Sequence, residues 1–224
     1  MELNDRSLPV LSPEEVRVLA CLVEKELTTP DNYPLTLNAL LSACNQKTSR
    51  DPVVEFDAST VEQCLQSLKE RGFVRSVSGA EHRVPKFKHD MPFMLRLNPA
   101  QTAVLTVLML RGPQTVGEIR GRSDRMHSFD SLDEVAEALN DLGDLNGRKL
   151  VTELERLPGT KEPRFVHLLS GESAATISAT PTMGRGSGAN RAAELDALRE
   201  EVDRLRDEIA AVRAELGEFR KQFE

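Results

Sequence analysis

The feature that most constrains this chain is an internal repeat. The stretch LSPEEVRVLACLV at residues 11–23 has the same pattern as LNPAQTAVLTVLM at residues 97–109, so the two copies begin 86 residues apart. Each copy opens with a polar cap residue and a proline, followed by apolar residues three and four positions apart, which predicts a helix. In a chain of 224 residues, this spacing favours two similar domains over one large domain.

The segments that follow each copy predict the same series of elements. Each contains a second helix after a proline-containing turn, a third helix with one apolar face, and an alternating segment that indicates two short strands around a polar turn. In order, these segments are 34–46, 59–72 and 73–89 in the first copy, and 115–122, 131–143 and 150–169 in the second. Three helices closed by a β-hairpin are typical of the winged helix-turn-helix. We therefore expect a mainly α (α+β) fold with two tandem winged-helix domains, at 1–90 and 91–170.

The end of the chain has a different pattern. Residues 171–190 are rich in Ser, Thr, Ala and Gly, which predicts a flexible linker. Further on, apolar residues recur in alternating steps of three and four, which predicts a coiled-coil helix over 191–224. The seam of this helix consists of Leu195, Leu198, Val202, Leu205, Ile209, Val212, Leu216 and Phe219.

The charges beside this seam indicate how two such helices would pair. When Leu195 is taken as an a position, every g position is Glu and every e position is Arg. A parallel pair sets each g residue against an e residue of opposite charge, and β-branched Val202 and Ile209 at a positions favour two strands. We expect a parallel homodimer. Packing of the helix on its own domains, or pairing with a different protein, are the alternatives.

The net charge of −7 is spread along the chain, as −3 over 1–90, −1 over 91–170 and −3 over the remainder. No segment is basic overall, so a polyanion would have to bind at a local patch. Cys21, Cys44 and Cys64 match no metal-binding spacing and are expected to be reduced core residues. The opening MELNDRSLPV has no basic region before an apolar run, and no stretch approaches membrane-spanning length, so we expect a soluble cytoplasmic protein with no membrane partner.

Winged helices bind DNA by placing the third helix in the major groove and the hairpin wing against phosphates. The third helix of the second copy is acidic, which opposes that role. The first copy is more suitable, because Gln63, Gln66 and Ser67 of its third helix can face base edges. Its expected phosphate contacts come from the wing and from the turn before the third helix, and are Lys47, Arg50, Arg75, Arg83, Lys86 and Lys88.

Other interpretations stay open at this point. Alternating Arg and Lys also suit the solvated outer face of an edge strand. The acidic net charge and the acidic third helix of the second copy favour a scaffold that uses winged helices as docking modules for an unidentified protein partner. Catalysis has little support, because the four histidines lack a metal-binding spacing and no glycine-rich phosphate loop occurs. We expect a non-enzymatic protein without cofactor or metal.

Four long motifs also resemble those of a known family. They are LVEKELTTPDNYPLTLNALLSACNQKTSRDPV (22–53), RSVSG (75–79), LRGPQTVGEIRGRSDRMHSF (110–129) and EPRFVHLLSGE (162–172). On these motifs the chain is identified as a member of the YceH family of bacterial proteins, which has no established activity. The resemblance implies a tandem winged-helix fold and a bacterial cytoplasmic protein, and it provides no catalytic residues.

Overall fold

A computed structural model describes residues 10–77, 84–155 and 162–171 of the chain. The two expected hairpin turns and Arg83 lie outside these described residues. So do the predicted linker beyond Gly171 and the predicted coiled coil with all eight of its seam residues. The fold below is that of residues 10–90, the first half, and of residues 91–171, the second half.

The fold is mixed α/β, with helices and small antiparallel sheets. The first half contains helix α1 (Pro13–Thr28), a 3₁₀ turn (Pro30–Asn32), strand β1 (Leu35–Thr36), helices α2 (Leu37–Cys44) and α3 (Ala58–Glu70), and strands β2 (Val74–Val77) and β3 (Lys86–His89). The second half contains helices α4 (Met91–Leu95), α5 (Pro99–Arg111), α6 (Val116–Ser123) and α7 (Leu132–Gly143), and strands β4 (Val151–Glu153) and β5 (Phe165–His167). The six helices and four strands expected in the two copies of the repeat are present, while β1, α4 and the 3₁₀ turn were not predicted.

The repeated helices α1 and α5 begin with the same cap. Ser12 Oγ accepts a hydrogen bond from the Glu15 backbone N–H, and the Glu15 carboxylate accepts one from the Ser12 N–H at 2.7 Å. Asn98 and Gln101 form the same reciprocal pair at 2.8 and 3.0 Å. Each cap satisfies two of the backbone donors that a helix start leaves without partners. The expected helix starts are confirmed.

Helices α1 and α5 form the centre of the described structure. A surface helix buries one stripe of its residues, whereas α1 is buried all round from Glu15 to Val23 and α5 from Gln101 to Leu110. The two helices pack against each other, and one hydrophobic core extends through both halves. A backbone hydrogen bond from Asp51 N–H to the Leu110 carbonyl, 2.9 Å long, also joins the halves.

Each half has an antiparallel sheet on a related plan. Strand β3 lies between β1 and β2, and β4 pairs with β5. In the first sheet Val74 lies opposite His89, and in the second Val151 lies opposite His167. The second sheet lacks a counterpart of β1 among the described residues, but a single bridge joins Gln114 to β5 just before α6 begins. The three cysteines are buried and unbridged, as expected.

Candidate nucleic-acid interface

The outer face of the first sheet brings together three basic side chains. Neighbouring residues of a strand point to opposite faces, so Lys86 and Lys88 of β3 share one face, and Phe87 and His89 the other. Arg75 lies directly opposite Lys88 and therefore joins the lysines. The inner face packs on the core through the buried His89 and the partly buried Phe87. We call Arg75, Lys86 and Lys88 the basic sheet face.

One carboxylate offsets part of the charge of the basic sheet face. Like charges directly opposite in a sheet repel each other, and here the Asp90 carboxylate accepts hydrogen bonds from Nε and Nη2 of Arg75. The Arg75 side chain remains 61% exposed. Within the part of the chain that the structure describes, neither Lys86 nor Lys88 forms an ion pair. The two lysines therefore remain able to pair with an external anion.

Helix α3 presents a polar face beside this sheet. Its apolar residues Val61, Leu65 and Leu68 are buried, whereas Gln63 and Gln66 are exposed and Ser67 is half-buried. The Gln66 side-chain amide donates a hydrogen bond to Glu70 Oε1 at 2.7 Å. Gln63 is thus the more accessible of the two amides, and the exposed carboxylates of Glu62 and Glu70 flank the face.

The structure corrects the expectation for Arg50. Its side chain is 0% exposed, and its Nη2 lies 2.6 Å from Glu24 Oε2. Its Nε and Nη2 also donate to the Ala43 carbonyl, at 3.2 and 3.0 Å. The prediction that Arg50 contacts phosphate is wrong, because a covered guanidinium with its donors occupied cannot reach a ligand. Lys47, in the same turn, is exposed.

A second buried arginine holds the same turn, and the sequence analysis missed it. Arg17 of α1 donates from Nη2 to the Pro52 carbonyl at 2.7 Å and from Nη1 to the Cys44 carbonyl at 3.3 Å. Its burial lowers the pKa of the guanidinium. Asn45 fixes the other side of the turn, because its amide exchanges two hydrogen bonds of 2.8 Å with the Phe56 backbone. The turn that leads into α3 is therefore held by buried hydrogen bonds at several points.

The second half presents the opposite charge. The carboxylates on and beside α7 are exposed, and they are Asp130, Asp133, Glu134, Glu137, Asp141 and Asp144. Two of the nearby arginines, Arg122 and Arg164, pair with Glu118 at 3.5 and 3.0 Å. We call these six carboxylates the acidic α7 face. Phosphates would be repelled here, as the sequence predicted.

Two histidines at matching sheet positions have different surroundings. His89 Nε2 lies 2.6 Å from Glu26 Oε2, and the His89 backbone N–H donates to the Tyr33 hydroxyl at 2.7 Å. Burial lowers the pKa of His89, and Glu26 opposes that shift. His167 has no partner for its buried Nδ1 within the described structure, and burial lowers its pKa to about 4.

Nowhere in residues 10–77, 84–155 and 162–171 do three or more His, Cys, Asp or Glu side chains gather in a way that could hold a metal ion. The helices within those same ranges are too short or too polar to cross a membrane.

The chain is similar in sequence to a family of bacterial proteins. The family model described as "Protein of unknown function, DUF480" matches residues 11–160. A UPF0502 protein of Opitutus terrae is 51% identical over 178 residues, which cover 80% of this chain and 77% of the relative. A UPF0502 protein of Geobacter sulfurreducens is 47% identical over 218 residues, which cover 96% and 99% of the two chains. The family resemblance inferred from the motifs is confirmed.

Proposed function

This chain belongs to the DUF480 family, and we propose that it is a non-enzymatic DNA-binding protein of the regulator or nucleoid-associated type. In this proposal each half is a winged helix, with α3 and α7 as third helices and the hairpins β2–β3 and β4–β5 as wings. The order of elements in the two halves supports this assignment. The first half is the DNA-binding module, and the second half has a different role.

The observation that supports DNA binding is the basic sheet face. In a winged helix, the wing contacts phosphates beside the groove that the third helix enters. Lys86, Lys88 and Arg75 lie together on the outer face of the β2–β3 hairpin, and phosphate contacts of this kind supply most of the affinity for duplex DNA. Arg83, outside the described residues, remains part of the proposal because it belongs to the same hairpin in the sequence.

The other contacts come from α3 and the turn before it. The exposed Gln63 can form two hydrogen bonds with an adenine edge. Gln66 can do the same once its hydrogen bond to Glu70 is broken. Ser67 is half-buried on the same helix, and the exposed Lys47 supplies a phosphate contact from the turn. A parallel coiled coil through the C-terminal seam would make the protein a homodimer and bring two such modules to one DNA. No cofactor or metal is required.

A second candidate function rests on the acidic α7 face. Six exposed carboxylates occupy the position that a DNA-reading helix would hold in the second winged helix. Such a face suits a basic protein partner, because complementary charges steer encounter and exclude wrong partners. In this alternative the protein is an interaction scaffold whose winged helices are docking modules, and the basic sheet face is a solvated surface.

Salt-dependent binding to a labelled duplex of mixed sequence tests the first candidate. We expect the full chain to bind with an affinity that falls as salt rises, and the double variant Lys86→Glu/Lys88→Glu to bind more weakly. The slope of log affinity against log salt should decrease by about 0.9 for each phosphate that the variant no longer neutralises. The matched control is Arg125→Glu/Lys149→Glu, which changes the net charge equally at two exposed sites of the second half.

Three outcomes separate the candidates. Weaker binding by the first-half variant alone supports the basic sheet face. An equal weakening in both double variants would mean that only net charge matters, and would contradict a site at the wing. An absence of binding at low salt would remove the DNA proposal and favour the scaffold.

A further inference from the structure

Phe93 is the most exposed large apolar side chain in the part of the chain that the structure describes. It is 83% exposed, whereas Phe73 and Phe129 are 2% and 4% exposed. Its helix α4 is anchored by Met91 and Leu95, which are both buried. These two residues hold the helix on the core, whereas Phe93 takes no part in that packing. A single exposed apolar side chain is ordinary on a protein surface, so the significance of Phe93 depends on the charged groups around it.

The helix that carries the ring lies next to the basic sheet face. Asp90 is the N-cap of α4, and the backbone N–H of Met94 donates to the Asp90 carbonyl at 2.9 Å, so this turn is helical. Residues three apart on a helical turn are neighbours, which places Phe93 beside Asp90. Because the Asp90 carboxylate binds the guanidinium of Arg75, the helix that carries the exposed ring begins beside the basic sheet face.

A fourth cation follows the helix that carries the ring. Arg96 follows α4 in the left-handed conformation, with φ 59° and ψ 48°, where glycine or asparagine is favoured. Its side chain is exposed, and in the described part of the chain it forms no ion pair. The ring therefore has cationic side chains at both ends of its helix.

We propose that Phe93, together with Arg75, Lys88 and Arg96, binds single-stranded nucleic acid by stacking on an unpaired base. Single strands bind where a basic track for the backbone adjoins an aromatic platform for the bases. The inference rests on the proposed function and deepens it, because it assigns this surface to an unpaired segment of DNA or RNA beside the duplex.

The charges favour a nucleic acid over an apolar protein surface as the occupant. Arg75 already has Asp90 as its counter-charge, but an apolar partner that covered Phe93 and its surroundings would also have to desolvate Lys88 and Arg96 without giving them one. A phosphate backbone supplies that charge, and every base has a face on which the ring can stack. Stacking between paired bases would require unstacking the duplex, which an unpaired base avoids.

The absence of tryptophan from the sequence provides a direct reporter. Phe93→Trp places a single indole at the proposed site in the full chain, and Leu132→Trp places one on α7, where Leu132 is 49% exposed. The probe is an unlabelled oligothymidylate of about 20 nucleotides, long enough for a site of this type. We expect the emission of Phe93→Trp to be quenched as the strand binds, and that of Leu132→Trp to be unchanged.

A second measurement tests the energetic contribution. Phe93→Ala should weaken oligothymidylate binding by about 5- to 150-fold, the range for removal of one stacked base. It should leave the salt slope unchanged, because no phosphate contact is removed. Thermal melting checks that each variant is folded, and Phe93→Tyr, which retains a ring, should restore binding.

The outcomes distinguish failure of the stacking site from failure of the proposed DNA binding. If duplex binding is retained but Phe93→Trp is not quenched and Phe93→Ala has no effect on the single strand, the stacking site is refuted and the proposed function stands. If neither duplex nor single strand binds, both fail. If Phe93→Trp emission instead changes with protein concentration alone, the ring is covered by a second copy of the chain and the inference is overturned.

Discussion

Helices α1 and α5 have equivalent caps, the same central position and similar leucine patterns, but three of the positions at which they differ change what the helix holds. Arg17, Cys21 and Glu24 of α1 correspond in the repeat to Ala103, Val107 and Leu110 of α5. In α1 two of these residues bind the turn before α3, directly or through the buried Arg50. In α5 the corresponding positions are apolar and belong to the core. The same positions of the repeated helix can therefore be filled by apolar core residues, as in α5, or by polar residues that hold a neighbouring turn, as in α1.

The surfaces of the two halves differ in a related way. The half with the fixed turn has the basic sheet face and the amide-rich α3, whereas the half with the apolar centre has the acidic α7 face. A turn that is held in place reduces the ordering cost of binding. The two differences therefore point in the same direction, and together they favour the first half as the module that binds nucleic acid.

The largest predicted effect comes from making α1 more like α5. Glu24→Leu, which introduces the leucine found at 110, should lower the free energy of unfolding by about 3–5 kcal/mol, because Arg50 would remain buried without its carboxylate. Urea denaturation of the wild type and the variant measures the difference.

The double variant Glu24→Leu/Arg50→Met is the matched control. Replacing both partners of a buried ion pair with apolar residues is often neutral or stabilising, so most of the stability should be recovered. A double variant as unstable as Glu24→Leu would show that Arg50 is needed for its bonds to the Ala43 carbonyl rather than for its pairing with Glu24.

The second prediction compares the two sheet histidines. Burial lowers the pKa of His167 to about 4, from about 6.5 in an unfolded chain. The unfolded state then binds more protons between these values, so the stability is fully present above pH 6.5 and decreases as the pH falls towards 4. The decrease should reach about 3 kcal/mol, a value obtained by linkage from the difference in pKa.

Variants of both histidines isolate this effect from that of the carboxylates. Denaturation at a series of pH values should show a shallower decrease of stability in acid for His167→Phe than for the wild type. His89→Phe should change the acid sensitivity less, because Glu26 opposes the lowering of the pKa of His89. A His167→Phe variant with the wild-type pH dependence would mean that His167 is solvated enough to titrate normally.

The helices were predictable because their signals are local. Ser12–Pro13 and Asn98–Pro99 combine an N-cap with a proline at the first helical position, and both helices begin there. The apolar face of α3 was visible in the spacing of Val61, Leu65 and Leu68. The basic residues of the hairpin were also visible, and the strand register then placed Arg75, Lys86 and Lys88 on one face.

The remaining features depend on contacts between distant residues. Arg50 was expected to be a surface cation, and only its partner 26 residues earlier, Glu24, shows why it is buried. The shared core of the two halves was not predicted either, because periodicity shows that a face is apolar but does not show what covers it. The exposure of Phe93 within the apolar run MPFML could likewise be seen only in the structure. Its helix has five residues, which is too short for the apolar spacing to show which side chains are buried.

The third prediction tests whether the two halves act as one cooperative unit. Ser12→Ala and Asn98→Ala remove equivalent caps, and each should lower the free energy of unfolding by about 1 kcal/mol. Because α1 and α5 share one core, both variants should unfold in one transition with similar midpoints. Calorimetry that resolved two transitions, with each cap affecting only one of them, would contradict the shared core.

The smallest predicted effect lies at Arg96, the residue that follows α4 in the second half. A left-handed conformation costs a residue with a Cβ about 1–2 kcal/mol, and glycine avoids that cost but loses about 0.5–1 kcal/mol through the freedom of the unfolded chain. Arg96→Gly should therefore raise the free energy of unfolding by about 0.5 kcal/mol and weaken oligothymidylate binding. Arg96→Ala should weaken that binding equally without the gain in stability. Unchanged binding in both variants would mean that Arg96 is not part of the stacking site, whereas weaker binding in both would show that the chain keeps a less stable residue there for its charge.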